Sequence, residues 1–427
     1  MREVYIGLLG CGTVGSGVVE LLQRRAEKIA GLTGLQPVVK RILVQDPGRP
    51  RAVPVATGLL TTAPEELLAD REIAVVIESM GGIEPAKSYI LRALQAGKHV
   101  ITANKDLMAL CGSEIQAAAA QAGVTVMYEA AVGGAIPLIR PLKECLTANA
   151  ITDIMGIVNG TTNYILTKMT RTGSDFDSVL QEAQSLGYAE QDPSSDVDGL
   201  DAARKLVILA GLAFHAGVRL EEVQVEGIRR VTAADVEYAH DLGSVIKLVA
   251  EGTDRDGNLA LQVRPTLVAK EHPLAHVSFA NNALFVRGDA AGELMFYGRG
   301  AGSLPTASSI VGDLIEVLRQ LHLGVSREER AFFLPQKRVD AGKAPPRRHY
   351  LRLSAADRSG VFAQIAGIFG DSGVSMETVL QKRLQHEKAE IVIVTHEVSG
   401  LQIQQVVDRL NALPHVHEVC NVMPVAA

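Results

Sequence analysis

The chain has 427 residues, with 42 lysines and arginines, 48 aspartates and glutamates, and a formal net charge of −6. This length exceeds one ordinary hydrophobic core, so we expect two or three domains. The charge balance offers no basic field to a polyanion, which disfavours binding to nucleic acid or to an anionic membrane surface. An apolar run of roughly 18 residues is missing and the four cysteines are scattered, a pattern typical of a soluble cytoplasmic protein.

From residue 4 to about residue 130, short β-branched apolar runs alternate with helical patterns. The predicted strands are residues 4–9, 38–44, 73–78, 99–102 and 124–128. Such runs are typical of strands buried on both faces of a parallel sheet. The alternation predicts right-handed crossovers and a doubly wound, Rossmann-like domain over residues 1–135.

The pattern changes after this sheet. Residues 136–305 mix helices with strand candidates, which predicts an α+β domain, and a helix at 306–321 returns to the first domain. A polar stretch with two prolines at 336–347 is typical of a linker. Residues 348–424 follow the order βαββαβ, which predicts a ferredoxin-like unit. The expected fold class is therefore α/β with two further domains.

A glycine-rich turn follows the first predicted strand and opens a helix. It contains Gly10, Cys11, Gly12, Thr13, Val14 and Gly15. Glycines there permit a tight turn and a close approach to a pyrophosphate, which the amino end of the helix attracts. The strand–turn–helix context favours dinucleotide binding over a purely structural turn.

The end of the second strand leaves the choice of coenzyme open. Asp46 would bind an unphosphorylated adenosine ribose, whereas Arg49 and Arg51 would bind a 2′-phosphate. The residues therefore predict NAD or NADP without choosing between them.

Three other segments bring polar groups to predicted turns. Lys105 follows a strand end, where ligands bind in open α/β sheets, although a solvated loop lysine is the alternative. The turn at 129–137 presents backbone carbonyls suited to a monovalent cation, or serves only as a domain hinge. In the segment 159–163, Thr161 or Thr162 would cap a helix, and the free amides and hydroxyls there, Thr161 included, could instead bind a carboxylate.

The densest polar cluster spans residues 188–205. Asp201 and Lys205 are four residues apart and share one helix face. They form either a surface ion pair of small energy or a partly desolvated lysine that donates a proton beside a coenzyme. Acidic residues earlier in the cluster would recognise an ammonium group.

Together these segments resemble homoserine dehydrogenases over nearly the whole chain, and the tail resembles an ACT domain. The matching stretches are residues 7–15, 101–105, 159–166 and 196–205, with 357–361 and 373–375 in the tail. The resemblance implies reduction of L-aspartate 4-semialdehyde to L-homoserine, in the biosynthesis of threonine, methionine and isoleucine. It makes 136–305 a catalytic and dimer-forming domain.

The resemblance also implies residue roles. Lys205 donates the proton, Asp201 orients it, and Lys105 binds coenzyme and substrate. The other implied residues are Glu190, Tyr188, Asp196 and Thr161 for the substrate, Gly302 for the coenzyme, and the carbonyls of Glu129, Val132, Gly134 and Ile136 for Na⁺. Many relatives carry arginine where this chain has Gln45, which weakens the case for strict NADP use.

A homodimer or homotetramer and an amino-acid effector at the ACT domain, L-threonine first, are expected partners. One alternative is a phosphoglycerate-type dehydrogenase, but that class places its dinucleotide motif in mid-chain. Another is a sensor of nucleotides and amino acids without catalysis, which leaves the pair Asp201 and Lys205 unexplained.

Overall fold

The first domain is an open parallel sheet with helices on both faces. The structure is a computed structural model that describes residues 2–325, 337–340, 344–383 and 388–426. In chain order the elements of this domain are β1 (Arg2–Leu9), α1 (Thr13–Thr33), β2 (Leu35–Leu43), β3 (Leu60–Thr61), α2 (Glu65–Leu68), β4 (Ile73–Glu78), α3 (Ala86–Gln95), β5 (His99–Thr102), α4 (Lys105–Ala122) and β6 (Val126–Met127).

The strand order identifies the topology. The six strands run β3-β2-β1-β4-β5-β6, and every neighbouring pair is parallel. This is the order of a doubly wound dinucleotide-binding sheet, with its switch point between β1 and β4. The predicted Rossmann-like fold is confirmed, although the two-residue strand β3 was missed.

The middle domain is built around a mostly antiparallel sheet. Its elements are β7 (Ile151–Ile157), α5 (Gly160–Thr172), α6 (Phe176–Ser185), α7 (Ser194–Val197), α8 (Leu200–Ala213), β8 (Gln224–Val225), α9 (Ala233–Asp241), β9 (Ser244–Arg255), β10 (Asn258–Ala269), β11 (Asn281–Gly288), β12 (Gly292–Arg299) and α10 (Ser303–Leu323). A single π-helical turn at Pro141–Cys145 precedes them.

Helix α10 leaves the middle domain and packs on the first sheet. Its buried Ile310 and Leu314 share a core with Ile6 of β1 and Val18 of α1. Helices α1 and α10 are each 21 residues long. Across the described ranges, no helix combines the length and apolarity needed to cross a membrane.

The carboxyl-terminal unit continues the middle sheet. Its elements are β13 (Arg338–Val339), β14 (Arg348–Ala356), α11 (Val361–Asp371), β15 (Met376–Arg383), β16 (Lys388–Thr395), α12 (Gly400–Asn411) and β17 (Val416–Ala426). Strand β17 pairs in parallel with β10, which makes one sheet of eleven strands. Nine of them run in the order β12-β11-β7-β9-β10-β17-β14-β16-β15, and β8 and β13 each pair with β10 beside this path. The tail is therefore joined to the middle domain through backbone hydrogen bonds.

The stretch predicted as a linker has described parts that are attached to β10 and β9. Strand β13 pairs in parallel with β10. Arg347 donates to both oxygens of Glu251 on β9, at 2.6 and 2.9 Å. Gln336 and residues 341–343 of that stretch lie outside the described residues.

A buried ionic network fastens the tail to α9. The fully buried carboxylate of Asp235 accepts hydrogen bonds from Arg352 Nε at 2.7 Å, Tyr350 Oη at 3.0 Å and Asn421 Nδ2 at 3.1 Å. Arg352 also donates to Glu390 at 2.7 Å. Burial alone would raise the pKa of Asp235, but the hydrogen bond and charge of Arg352 outweigh it and hold that pKa below its ordinary value.

We expect Arg352→Ala to lower the free energy of unfolding by about 3–5 kcal/mol, because it leaves a buried carboxylate without its counter-charge. Urea unfolding monitored by circular dichroism measures this loss. Arg348 on the same strand pairs with Glu377 at 3.3 Å near the surface. Arg348→Ala should therefore cost at most about 1 kcal/mol. Equal losses in the two variants would contradict the interpretation.

Candidate active site between the first and middle domains

The predicted catalytic residues meet at one carboxylate. Lys205 Nζ donates to Asp201 Oδ2 and to the Val158 carbonyl, both at 2.7 Å. Lys105 Nζ lies 3.4 Å from Asp201 Oδ1. Because Lys105 begins α4 and Asp201 lies in the first turn of α8, the contact joins the first domain to the middle domain.

Burial distinguishes this cluster from a surface ion pair. The side chains of Asp201 and Lys205 are 8% and 12% exposed, and that of Lys105 is 35% exposed. Burial pushes the pKa of Asp201 upward, but the charges of Lys205 and Lys105 and hydrogen bonds to the carboxylate lower it to about 2. Asp201 is therefore an ionised acceptor at neutral pH, able to hold an ammonium group in a fixed direction.

Asn159 was not assigned a role from the sequence, and it connects the acidic residues of the site. Its Oδ1 caps α5 by accepting from Thr162 N at 2.8 Å. Its Nδ2 donates to Asp201 Oδ2 at 2.9 Å and to Asp196 Oδ1 at 2.7 Å. The cap predicted at Thr161 or Thr162 is therefore wrong, because α5 begins at Gly160 and both threonines lie inside its first turn. The other two bonds depend on α7 and α8 packing beside it, which local sequence does not show.

Three of the four predicted substrate residues surround the start of α5. Thr161 Oγ1 donates to the Tyr188 carbonyl at 2.7 Å, and Asp196 is held by Asn159. The Tyr188 ring stacks on Tyr164 with a centroid distance of 4.5 Å. The fourth residue, Glu190, has an exposed side chain, and its carbonyl accepts from Gln184 Nε2 at 3.1 Å.

The glycine-rich turn has the shape of a phosphate cradle. Gly10 has φ +94°, and a Cβ on Gly15 would stand 2.4 Å from the Gly10 carbonyl oxygen. A Cβ on Gly12 would meet open space, so the backbone at the start of α1 is accessible to a ligand. Helix α1 begins with Thr13 and Val14. The amides in the first turn of a helix have no partner within the helix, so these two are free to bind an anion at its amino end.

The start of α10 lies against this turn. Ser303 Oγ donates to the Thr13 carbonyl at 2.7 Å. Gly302, with φ +121°, directly precedes it. The turn containing Gly302 therefore adjoins the glycine-rich turn, as a second coenzyme contact requires, and the residues present fit a dinucleotide.

A buried glutamate positions Lys105. Glu78, at the end of β4, accepts from Met80 N at 2.7 Å and from Thr102 Oγ1 at 2.5 Å. Thr102 in turn accepts from Asn104 N at 3.0 Å, and Asn104 caps α4 in front of Lys105. Burial raises the pKa of Glu78 above its ordinary value. Glu78 could not be identified from the sequence, because it ends an apolar strand without any recognised motif.

The interdomain turn at 129–137 is organised by its own glutamate. The Glu129 carboxylate accepts backbone N–H groups of Leu138, Ile139 and Arg140 at 2.5, 2.7 and 2.9 Å. Gly134 has φ +56°, and its carbonyl accepts Ser309 Oγ at 2.7 Å. Because the Glu129 carboxylate already accepts these three N–H groups, the atom of Glu129 that suits a cation is its backbone carbonyl oxygen.

Asp313 on α10 supports the same turn. Its carboxylate accepts Glu129 N at 2.9 Å and lies 3.5 Å from Arg140 Nη2. Burial raises the pKa of Asp313 to about 7, and the charge of Glu129 adds to the effect, although the Glu129 N–H opposes it. The carboxyl group is therefore half protonated near neutral pH.

Comparison with known proteins gives three family matches along the chain. The NAD-binding domain of homoserine dehydrogenase matches residues 10–129. Homoserine dehydrogenase itself matches residues 137–315, and the ACT domain matches residues 349–415.

Full-length relatives agree with these matches. The chain is 45% identical to homoserine dehydrogenase of Bacillus subtilis over 98% of this chain and 97% of that protein. A homoserine dehydrogenase structure from Thiobacillus denitrificans superposes with a TM-score of 0.94 at 41% identity, covering 100% of this chain and 99% of that one. A hyperthermophilic archaeal homoserine dehydrogenase in complex with NADPH matches at 27% identity and TM-score 0.63, covering 74% and 98%.

We expect Asp313→Asn to remove a component of pH-dependent stability. A carboxyl whose pKa rises on folding, here from an ordinary value of 3.8 to about 7, contributes stability that is complete below pH 4 and lost as pH rises through 7. Between pH 5 and 8, the free energy of unfolding of the wild type should fall by roughly 2–3 kcal/mol more than that of Asp313→Asn. Urea unfolding at each pH measures this difference, and parallel pH curves would refute the assignment.

Proposed function

Because the chain belongs to the homoserine dehydrogenase family, we propose that it reduces L-aspartate 4-semialdehyde to L-homoserine, on the route to threonine, methionine and isoleucine. It is an oxidoreductase of that family with a coenzyme-binding domain and an ACT domain. The observation that supports this reaction best is the placement of Lys205 and Lys105 on one buried carboxylate between the two domains.

Different residues of the chain have distinct roles in this reaction. When bound, the nicotinamide supplies the hydride that the aldehyde carbon takes up. Lys205 holds a proton at Nζ and donates it to the oxygen of the former aldehyde, while Asp201 and the Val158 carbonyl keep the nitrogen directed. Lys105 adds a second positive charge, which stabilises a developing alkoxide.

The acidic residues near α5 suit the amino end of the substrate. We assign Asp196 and Glu190 to the substrate ammonium group, with Thr161 and Tyr188 shaping the same pocket. Asn159 supports this assignment because it ties Asp196 to Asp201 and so relates the ammonium site to the proton donor.

Both coenzymes find suitable partners at the loop after β2. Arg51 donates to the carbonyls of Asp46 at 2.9 Å and Arg49 at 2.8 Å, which folds its guanidinium onto the loop. Arg49, Gln45 and Asp46 are exposed in this loop, and Asp46 Oδ1 accepts Gly48 N at 2.8 Å. Asp46 suits the ribose of NAD and Arg49 the 2′-phosphate of NADP, so the proposal includes use of either coenzyme.

A sodium ion and self-association complete the proposal. The carbonyls of Glu129, Val132, Gly134 and Ile136 are neutral oxygen ligands on a sharply turning backbone, which suits a monovalent cation. The family resemblance supports a homodimer or homotetramer, and the four free cysteines suit a reducing cytoplasm.

The direct test is oxidation of L-homoserine, followed by the absorbance of the reduced coenzyme at separate concentrations of NAD and NADP. The wild type should turn over, and Lys205→Met should reduce kcat by about 10² or more, because methionine replaces the apolar stem of lysine but carries no transferable proton. Arg204→Met is the matched control, since Arg204 precedes Lys205 on α8 and pairs with Asp106 of α4 rather than with the Asp201 carboxylate. Near-wild-type kcat in a folded Lys205→Met enzyme would remove Lys205 from the mechanism.

The ACT domain supports feedback control by an amino acid, L-threonine first. Strand β17 of that domain pairs with β10 of the middle domain, so a ligand in the tail acts on a sheet that both domains share. Activity should fall as L-threonine is raised into the millimolar range, whereas L-valine, which has the same shape without the hydroxyl, should have less effect. A flat response to L-threonine would exclude this effector.

A further inference from the structure

A buried lysine in the middle domain has no role in the chemistry described above. Lys247 on β9 is 3% exposed and donates to Asn163 Oδ1 at 3.1 Å and to the Val277 carbonyl at 2.5 Å. Among the residues that the structure describes, it forms no ion pair. Burial lowers the pKa of Lys247 to about 8, with a smaller contribution from the charge of Arg171.

Asn163 extends this contact to a neighbouring turn. Its Nδ2 donates to the carbonyls of Phe279 at 2.8 Å, Asn281 at 3.1 Å and Val277 at 3.2 Å. Thr167 Oγ1 accepts Phe279 N at 3.1 Å. The turn of residues 277–281 is therefore bound to α5 through its own backbone.

The turn holds one residue in a strained conformation. Phe279 has φ +57°, in the left-handed region that side chains other than glycine rarely adopt. Such strain costs about 1–3 kcal/mol and persists only where surrounding contacts enforce it. Hydrogen bonds to Asn163 and Thr167 hold the Phe279 backbone here, and the Arg171 guanidinium lies 4.4 Å from the centre of its ring.

The same turn lies against the substrate side of α5. A Cβ on Gly160 would stand 3.2 Å from the Ala280 carbonyl oxygen, so the turn touches the first residue of that helix. The Phe279 ring lies 6.2 Å from Tyr164, which stacks on Tyr188. A row of three aromatic rings therefore extends from the turn to a predicted substrate residue.

The free-energy cost of burying the Lys247 ammonium group indicates that this group has a specific structural role. A charged amine held only by neutral acceptors pays a desolvation penalty that an ion pair would offset in part. An apolar side chain would fill the same space in β9 without this penalty. What the ammonium group adds is a strong donor that orients both the Asn163 amide and the Val277 carbonyl.

We propose that Lys247 is a positioning residue for the substrate pocket, which acts through Asn163 to hold the 277–281 turn and Phe279 against the Tyr164–Tyr188 stack. This inference rests on the proposed function, because the pocket is that of the L-homoserine reaction. Lys247 contacts neither the reacting atoms nor the coenzyme turn. Its effect should therefore fall on substrate binding rather than on the proton transfer.

Steady-state kinetics of Lys247→Met tests the proposal, since methionine keeps most of the apolar stem of lysine and removes the donor. The KM for L-homoserine should rise roughly tenfold while kcat and the KM for coenzyme change less than about threefold. Lys98→Met is the matched control, because Lys98 is also buried and donates to the Asp70 and Ile73 carbonyls of the first domain. It should leave the KM for L-homoserine within about twofold of the wild-type value.

A second variant keeps the test decisive if Lys247→Met does not fold. Phe279→Ala removes a ring that is 36% exposed and leaves the core intact, and it should raise the KM for L-homoserine several-fold. Phe362→Ala, which removes an equally exposed ring from the ACT domain, should not.

The outcomes separate this inference from the proposed function. An unchanged KM for L-homoserine in folded Lys247→Met, or in Phe279→Ala if the first variant does not fold, overturns the positioning role. A fall in kcat alone also overturns it. A wild-type enzyme without homoserine turnover instead refutes the proposed function.

Discussion

The Asp201 carboxylate is the interaction on which the site depends. It is nearly buried, yet it remains ionised because ammonium groups from two domains and the amide of Asn159 lie against it. Neither lysine alone would relate the two domains in this way. The negative charge at Asp201 therefore orients Lys205 and, together with the Arg204–Asp106 ion pair, joins α4 to α8.

Other buried acidic side chains also act as hydrogen-bond acceptors where the first and middle domains meet. Glu78 accepts hydrogen bonds from two backbone amides after β4, and its contact with Thr102 connects it to the start of α4. Glu129 collects three amides at the entrance to the middle domain, and Asp313 accepts the amide of Glu129 itself. In each case a side chain supplies the acceptor that the backbone N–H groups of a turn or helix start lack.

Sequence alone predicted the parts that depend on local pattern. The apolar runs of the first sheet, the glycine-rich turn and the βαββαβ tail follow from periodicity and turn residues. Strand β9 was missed because it is buried on both faces and carries Lys247 and Glu251 within its apolar run. Helix α9 and strand β12 were also missed.

The candidate site divides in the same way. Asp201 and Lys205 share a helix face by their spacing, so their contact could be anticipated. The contact of Lys105 with Asp201 and the two carboxylate bonds of Asn159 join segments far apart in the chain. Pairing of β17 with β10 is equally remote, and no local signal extends that strand to Ala426.

The Asp235–Arg352 network bears on how this enzyme can be recombined with others. A chain ending before β14 would strip Asp235 of Arg352, Tyr350 and Asn421 and expose the apolar side of the shared sheet. The ACT domain therefore cannot be exchanged independently of the middle domain. Any exchange of this domain between enzymes, by engineers or by descent, has to carry a compatible α9 with it.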